Sequence, residues 1–111
     1  PTINFAEAPG LLYDYYGLVM LYDEPVMQSF LTQIIPEEFN VKMNDTVFIT
    51  KVQNNLKQLG YGITETGIWD DATKKTIEAF QYHFRPQIFD GKLDAETWAI
   101  LQALNQKYPN K

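Results

Sequence analysis

Between residues 46 and 59 apolar side chains return at helical spacing, with Ile49, Val52, Leu56 and Leu59 on one stripe. Gly60 stands where a glycine ends a helix, and Tyr61 follows it, placed to close the hydrophobic contact of that cap. The pattern predicts a helix over about 46–59. Downstream, two loop-plus-helix units match at an offset of 24 residues. The first reads Gly67-Ile68-Trp69-Asp70-Asp71-Ala72-Thr73 and continues to Ile77, Ala79 and Phe80. The second reads Gly91-Lys92-Leu93-Asp94-Ala95-Glu96-Thr97 and continues to Leu101, Ala103 and Leu104. In each unit the glycine permits a tight turn, Trp69 or Leu93 takes a core-pointing slot, and Asp70 or Asp94 can cap a helix. The apolar residues ten and thirteen positions after each glycine share one helical face. Helices over about 70–85 and 94–107 follow, and the three together predict an all-α three-helix bundle with an internal pseudo-repeat.

Before this bundle the pattern changes. Leu11, Leu12, Tyr13, Tyr15, Tyr16, Leu18, Val19, Met20, Leu21 and Tyr22 are too apolar for a flexible linker, which is rich in Gly, Ser and Pro. Pro9-Gly10 opens a short helical stretch that Gly17 can end, and a second helix begins near Asp23 with Pro25 in its first turn. Val26, Met27, Phe30, Leu31, Ile34 and Ile35 then recur at helical spacing up to Pro36, which is expected to stop the helix. So much apolar surface has to pack on the bundle, on a further domain or on a second copy.

Charge divides the chain at about the same place. Residues 1–41 hold no lysine or arginine and carry six of the 14 acidic residues, whereas residues 42–111 hold all nine basic residues. Such a shift marks a change of role. We therefore read residues 1–41 as an acidic helical extension, the tail of a preceding domain, and residues 42–111 as an independent module.

Composition removes several chemistries. With no cysteine there is no disulfide, thiolate metal site or cysteine nucleophile, and one histidine excludes a zinc site built on two imidazoles. The formal charge of -5 argues against nucleic acid, as only Lys74 and Lys75 are adjacent cations. No apolar run is long enough to cross a bilayer.

The residues now in hand carry a resemblance. Val52-Gln53 with Leu56, Leu59-Gly60-Tyr61, Gly67-Ile68-Trp69 with Thr73, and Ala79-Phe80-Gln81 look like the peptidoglycan-binding domain of bacterial wall hydrolases. Asp90-Gly91 with Leu93, Asp94, Thr97 and Trp98 resembles its second half, so the likeness covers about residues 47–105. The run Ala79 to Pro86 resembles the variant found after the catalytic domain of zinc-dependent N-acetylmuramoyl-L-alanine amidases. Ala8-Pro9-Gly10, Leu12-Tyr13, Tyr16-Gly17-Leu18 and Tyr22-Asp23 resemble the end of such an amidase domain. In that family an Asp-Pro-Gly near this point supplies a zinc ligand; the matching residue here is Ala8, which cannot bind a metal. The resemblance thus implies an envelope-located bacterial enzyme whose zinc and histidine ligands lie in a preceding amidase domain, with no cofactor in this chain. Its implied partners are peptidoglycan and that amidase domain.

Candidate site residues follow from aromatic and charged groups near the turns. Tyr61, Tyr82 and Phe89 offer apolar contact around the loops at 60–69 and 82–91, with Gln81 and Arg85 adding polar and charged contact. Arg85, the sole arginine, suits a stem-peptide carboxylate or serves as a helix C-terminal cap. Trp98 sits at an exposed-type repeat position, where it stacks on a ligand or is covered by the extension. His83 has no partner at metal-ligand spacing and is read as structural. Asp70, Asp71, Asp94 and Glu96 lie at helix N-termini and are read as caps rather than an acid–base pair. Two functions remain open: a non-catalytic wall-binding module that targets a tethered amidase, or a structural docking domain of the same enzyme without ligand affinity. A groove lined by Tyr61, Tyr82 and Phe89 would favour the first. Either way, the chain alone is expected to hydrolyse nothing. Stoichiometric zinc binding at neutral pH, or release of stem peptides from purified wall by this chain, would overturn that expectation.

Overall fold

The computed structural model describes residues 21–108, which form five helices: α1 (Glu24–Thr32), α2 (Pro36–Lys42), α3 (Thr46–Gln58), α4 (Asp71–Phe84) and α5 (Ala95–Lys107). The last three match the predicted bundle, and no strand occurs among the described residues. The short helix expected around residues 11–17, and Ala8, lie outside the described residues.

Each long helix begins and ends for local reasons. Asp45, Asp70 and Asp94 are the N-caps of α3, α4 and α5, and their carboxylates accept the N–H of Val47, Thr73 and Thr97. The orphan donors of the first turns are thereby satisfied. After α3, the Tyr61 N–H donates to the Leu56 carbonyl and the Gly60 N–H to that of Lys57. This is the Schellman pairing that the Leu59-Gly60-Tyr61 sequence foreshadows. Val52 and Leu56 of α3, Ile77 and Phe80 of α4, and Ile100, Leu101 and Leu104 of α5 are all buried in one core.

Pro36 corrects the expectation for the extension. It is the first residue of α2 rather than the end of the preceding helix. A proline's fixed φ suits the first helical position, where no intrahelical N–H bond is required. Ile34 and Ile35 consequently fall in the connection rather than on α1. The boundary drawn at residue 41 on charge falls inside α2, and the extension shares the module's core. Met27 of α1 and Phe39 of α2 are buried in the same cluster as Val52 and Leu104. At the start of the described chain, the Lys107 ammonium donates to the Leu21 carbonyl at 3.0 Å and pairs with Asp23 at 3.5 Å. Charge reports the solvent-facing residues of a segment, whereas docking is decided by its buried ones.

The pseudo-repeat is held by a pair of equivalent clasps. The Gln53 amide of α3 donates to the Ile68 carbonyl at 3.1 Å and the Thr73 hydroxyl at 2.8 Å. Its oxygen accepts the Gly67 N–H at 2.9 Å. On α4 the Gln81 amide donates to the Lys92 carbonyl at 2.8 Å and the Thr97 hydroxyl at 3.0 Å, and its oxygen accepts the Gly91 N–H at 2.9 Å. Gly67, Ile68 and Thr73 correspond to Gly91, Lys92 and Thr97 at the repeat offset. Both glycines have positive φ, +73° and +76°, which presents their N–H groups to the buried amides. A Cβ on Gly67 would also meet Thr46 Cγ2 at 2.6 Å. Gly67→Ala should therefore destabilise the fold by at least about 1–2 kcal/mol in urea unfolding. Gly62→Ala, whose added methyl meets nothing within 4 Å, should change stability by less than about 1 kcal/mol.

Candidate functional site

The structure disperses most of the residues expected to meet a ligand. Gln81 is 0% exposed and spends both ends of its amide on the second clasp, which corrects its expected role in ligand contact. Tyr61 is buried against Phe80, with ring centroids 6.2 Å apart, and its hydroxyl lies 2.8 Å from His83 Nδ1. Burial raises the Tyr61 phenol pKa well above its ordinary value and lowers that of the His83 imidazole. The structural reading of His83 stands on that contact. Tyr82 and Phe89 remain at the surface, 44% and 47% exposed, packed edge-to-face with centroids 5.2 Å apart. The expected groove over Tyr61, Tyr82 and Phe89 is accordingly reduced to an exposed aromatic pair.

Arg85 faces inward. Its Nη1 contacts both Asp94 carboxylate oxygens at 2.8 Å and Glu96 Oε1 at 3.2 Å, while Nε and Nη2 donate to the Ile88 carbonyl at 3.3 and 2.9 Å. The side chain thus ties the end of α4 to the start of α5, and at 8% exposed it is engaged within the fold rather than offered to a stem peptide. Asp94 carries two duties, accepting the Thr97 N–H at 2.8 Å as a cap and pairing with Arg85. Burial alone would raise its pKa; the hydrogen bonds from Thr97 and Arg85 outweigh it and hold the carboxyl below its ordinary value.

Trp98 lies in the core beneath the extension. It is 5% exposed and packs edge-to-face on Phe48 at 5.2 Å, and Phe48 packs in the same way on Phe39 at 5.9 Å. Of the two readings of this residue, cover by the extension is the one observed. The sequence left both readings open because α2, which brings Phe39 over the bundle, was not foreseen.

Two hollows result from the way α2 lies across the bundle. One, of about 520 Å³, is lined by Phe39 and Met43 on one side and by Trp69, Asp90, Lys92 and Leu93 on the other. It brings together the two repeat loops. Trp69 and Leu93 hold equivalent slots; Leu93 is buried, while the larger indole is half-buried and reaches the groove wall. An indole wall beside a carboxylate and an ammonium can hold a ligand with an apolar ring face and polar substituents. The second hollow, of about 190 Å³, lies over Phe48 and Trp98 and shares Phe39 with the first. No group of three or more His, Asp or Glu side chains among the described residues could hold a metal ion. Likewise, no described helix is long and apolar enough to cross a membrane.

With this geometry in place, comparison with known proteins adds a family. Residues 47–101 match the family described as putative peptidoglycan binding domain. A stretch of 35 residues, 32% of this chain, is 54% identical to the N-acetylmuramoyl-L-alanine amidase AmiD of Escherichia coli, covering 13% of that protein. Among solved structures, AmpDh3 of Pseudomonas aeruginosa is similar over 84% of this chain, with 32% identity and a TM-score of 0.62. The amidase AmiD of E. coli, solved with the substrate anhydro-N-acetylmuramic acid-L-Ala-D-γ-Glu-L-Lys, is similar over 86% of this chain with 28% identity and a TM-score of 0.64. The chain spans about a third, 34%, of each of those two structures.

The titrating groups of this region set the pH response of the fold. His83 has a pKa lowered from its ordinary 6.5, so the unfolded chain binds the extra proton and stability begins to fall as pH drops below about 6.5. Asp70 and Asp94 are lowered from 3.8, so their contribution is present above that value and is lost as pH falls through the lowered ones. Thermal unfolding followed from pH 8 to pH 3 should show both declines. His83→Gln should remove the upper one, and Asp94→Asn should diminish the lower.

Proposed function

From the premise that residues 47–101 belong to the putative peptidoglycan-binding domain family, we propose that this chain is the wall-binding module of an N-acetylmuramoyl-L-alanine amidase. In this reading the module is non-catalytic and holds a tethered amidase domain on its polymer in the bacterial cell envelope. The observation that carries it is the family match, which covers the bundle while the likeness to two solved structures runs over 84% and 86% of the chain. Those likenesses take in the extension as well as the bundle, which supports an amidase domain as the preceding partner. The catalytic zinc belongs to that domain in this proposal.

Modest affinity suffices for such a role. Once the module holds the wall, the next encounter between enzyme and polymer is effectively intramolecular, with a local concentration set by the tether. The groove between the repeat loops is our candidate for the contact. Its Trp69 wall suits the apolar face of a sugar ring, and Asp90 and Lys92 offer groups of both signs to a stem peptide.

The native chain should co-sediment with insoluble peptidoglycan. Trp69→Ala, after circular dichroism confirms its helical content, should weaken retention about tenfold, the equivalent of one aromatic anchor. Tyr82→Ala and Arg85→Ala serve as comparisons, since the first lies outside the groove and the second removes a contact internal to the fold. A native chain that does not sediment would instead support a docking domain without ligand affinity.

A further inference from the structure

The smaller hollow has a character at odds with the rest of the chain. The protein carries a formal charge of -5, yet none of the residues lining this pocket is acidic and two are lysines, Lys42 and Lys51. Each ammonium stands over an aromatic ring of the pocket, Lys42 Nζ at 5.8 Å from the Phe48 centroid and Lys51 Nζ at 5.9 Å from that of Trp98. Gln33 and Gln102 add amide groups to the lining. Among the described residues, ion pairs join Arg85 to Asp94 and Glu96, and Lys107 to Asp23; Lys42 and Lys51 take part in none of these. Both ammoniums, from the separate helices α2 and α3, line this one pocket, and no carboxylate lines it beside them. Ring faces hold them in place without neutralising them.

We propose that this pocket is a carboxylate subsite that takes the free carboxylates of a peptidoglycan stem peptide. The inference rests on the wall-binding reading and names the part of the polymer held here. A γ-linked D-glutamate keeps its α-carboxylate free, and a terminal L-lysine has a second, as in the substrate solved with the E. coli amidase. Two carboxylates on a short peptide match two ammoniums over an apolar floor. Phe39 lines both hollows, so the lysine pocket and the Trp69 groove adjoin at that ring. The subsite exists only when α2 is docked, because Lys42 and Phe39 come from α2 and Lys51, Phe48 and Trp98 from the bundle.

The test is a titration of the whole chain with N-acetyl-L-Ala-D-γ-Glu-L-Lys, followed by amide and indole NMR shifts. A parallel titration uses the same peptide with both carboxylates converted to carboxamides. The expected result is binding of the free acid with shifts at Lys42, Lys51 and the Trp98 indole, and weakening of about tenfold for the carboxamide. Exposed charge pairs contribute up to about fivefold each, so Lys42→Gln with Lys51→Gln should also cost about tenfold at unchanged urea midpoint. Lys42→Arg with Lys51→Arg should retain binding. The proposal is overturned if the tripeptide does not bind, if the carboxamide or the double glutamine variant binds as well, or if acetate at equal concentration produces the same shifts. Sedimentation with whole peptidoglycan reads the wall-binding function separately, so a chain that sediments but ignores the tripeptide loses this subsite and keeps its function.

Discussion

The geometry of the module depends on two glutamine amides, Gln53 and Gln81, each 0% exposed and each bonded through both its nitrogen and its oxygen. A buried amide left half-bonded costs about 1–3 kcal/mol, so each glutamine specifies the loop conformation that completes its hydrogen bonds. That requirement fixes the positive-φ glycine, the carbonyl that follows it and the threonine of the next helix's first turn. The result is an angle between consecutive helices set by polar contacts, on top of a core that apolar contact alone would leave free to slide. Arg85 adds a further tie across the second junction through Asp94 and Glu96.

This rigid frame explains why the binding surfaces lie where they do. Because the clasps draw the loops onto the helices, Trp69 and the 90–95 loop are presented side by side as one wall of a groove. The other wall is α2. The extension therefore has a double role: it covers the apolar face over Phe48 and Trp98, and in doing so it makes two hollows from what would otherwise be a bare surface. The two share the Phe39 ring, so a substitution that loosens α2 should disturb both together.

Much of this could be read along the chain. The stripe from Ile49 to Leu59, the Gly60 cap, and the two Gly-x-x-Asp-x-x-Thr units determined three helices and their order, because helix spacing, capping and left-handed glycine are local matters. The fold class and the aspartate caps followed from the same residues. The buried role of Gln81 did not, although Gln53 stands before the first unit much as Gln81 stands before the second. The two differ in distance to their glycines, 14 residues against 10, and that difference hides the repeat from a constant-offset comparison.

Only the tertiary structure decided which face of each element is free. For Arg85 and Trp98 the sequence left a ligand and an internal partner both open; the structure supplies the internal one, Asp94 and Glu96 for Arg85 and the Phe48 ring for Trp98, with Phe39 of the extension packed on Phe48 in turn. Pro36 carries the same ambiguity, since proline is compatible with the end of one helix and the first residue of the next. Local propensity determined where helices form. Which polar groups are consumed within the fold, and which remain for a polymer outside it, is settled by contacts between distant residues, and those become definite only when α2 lies across the bundle.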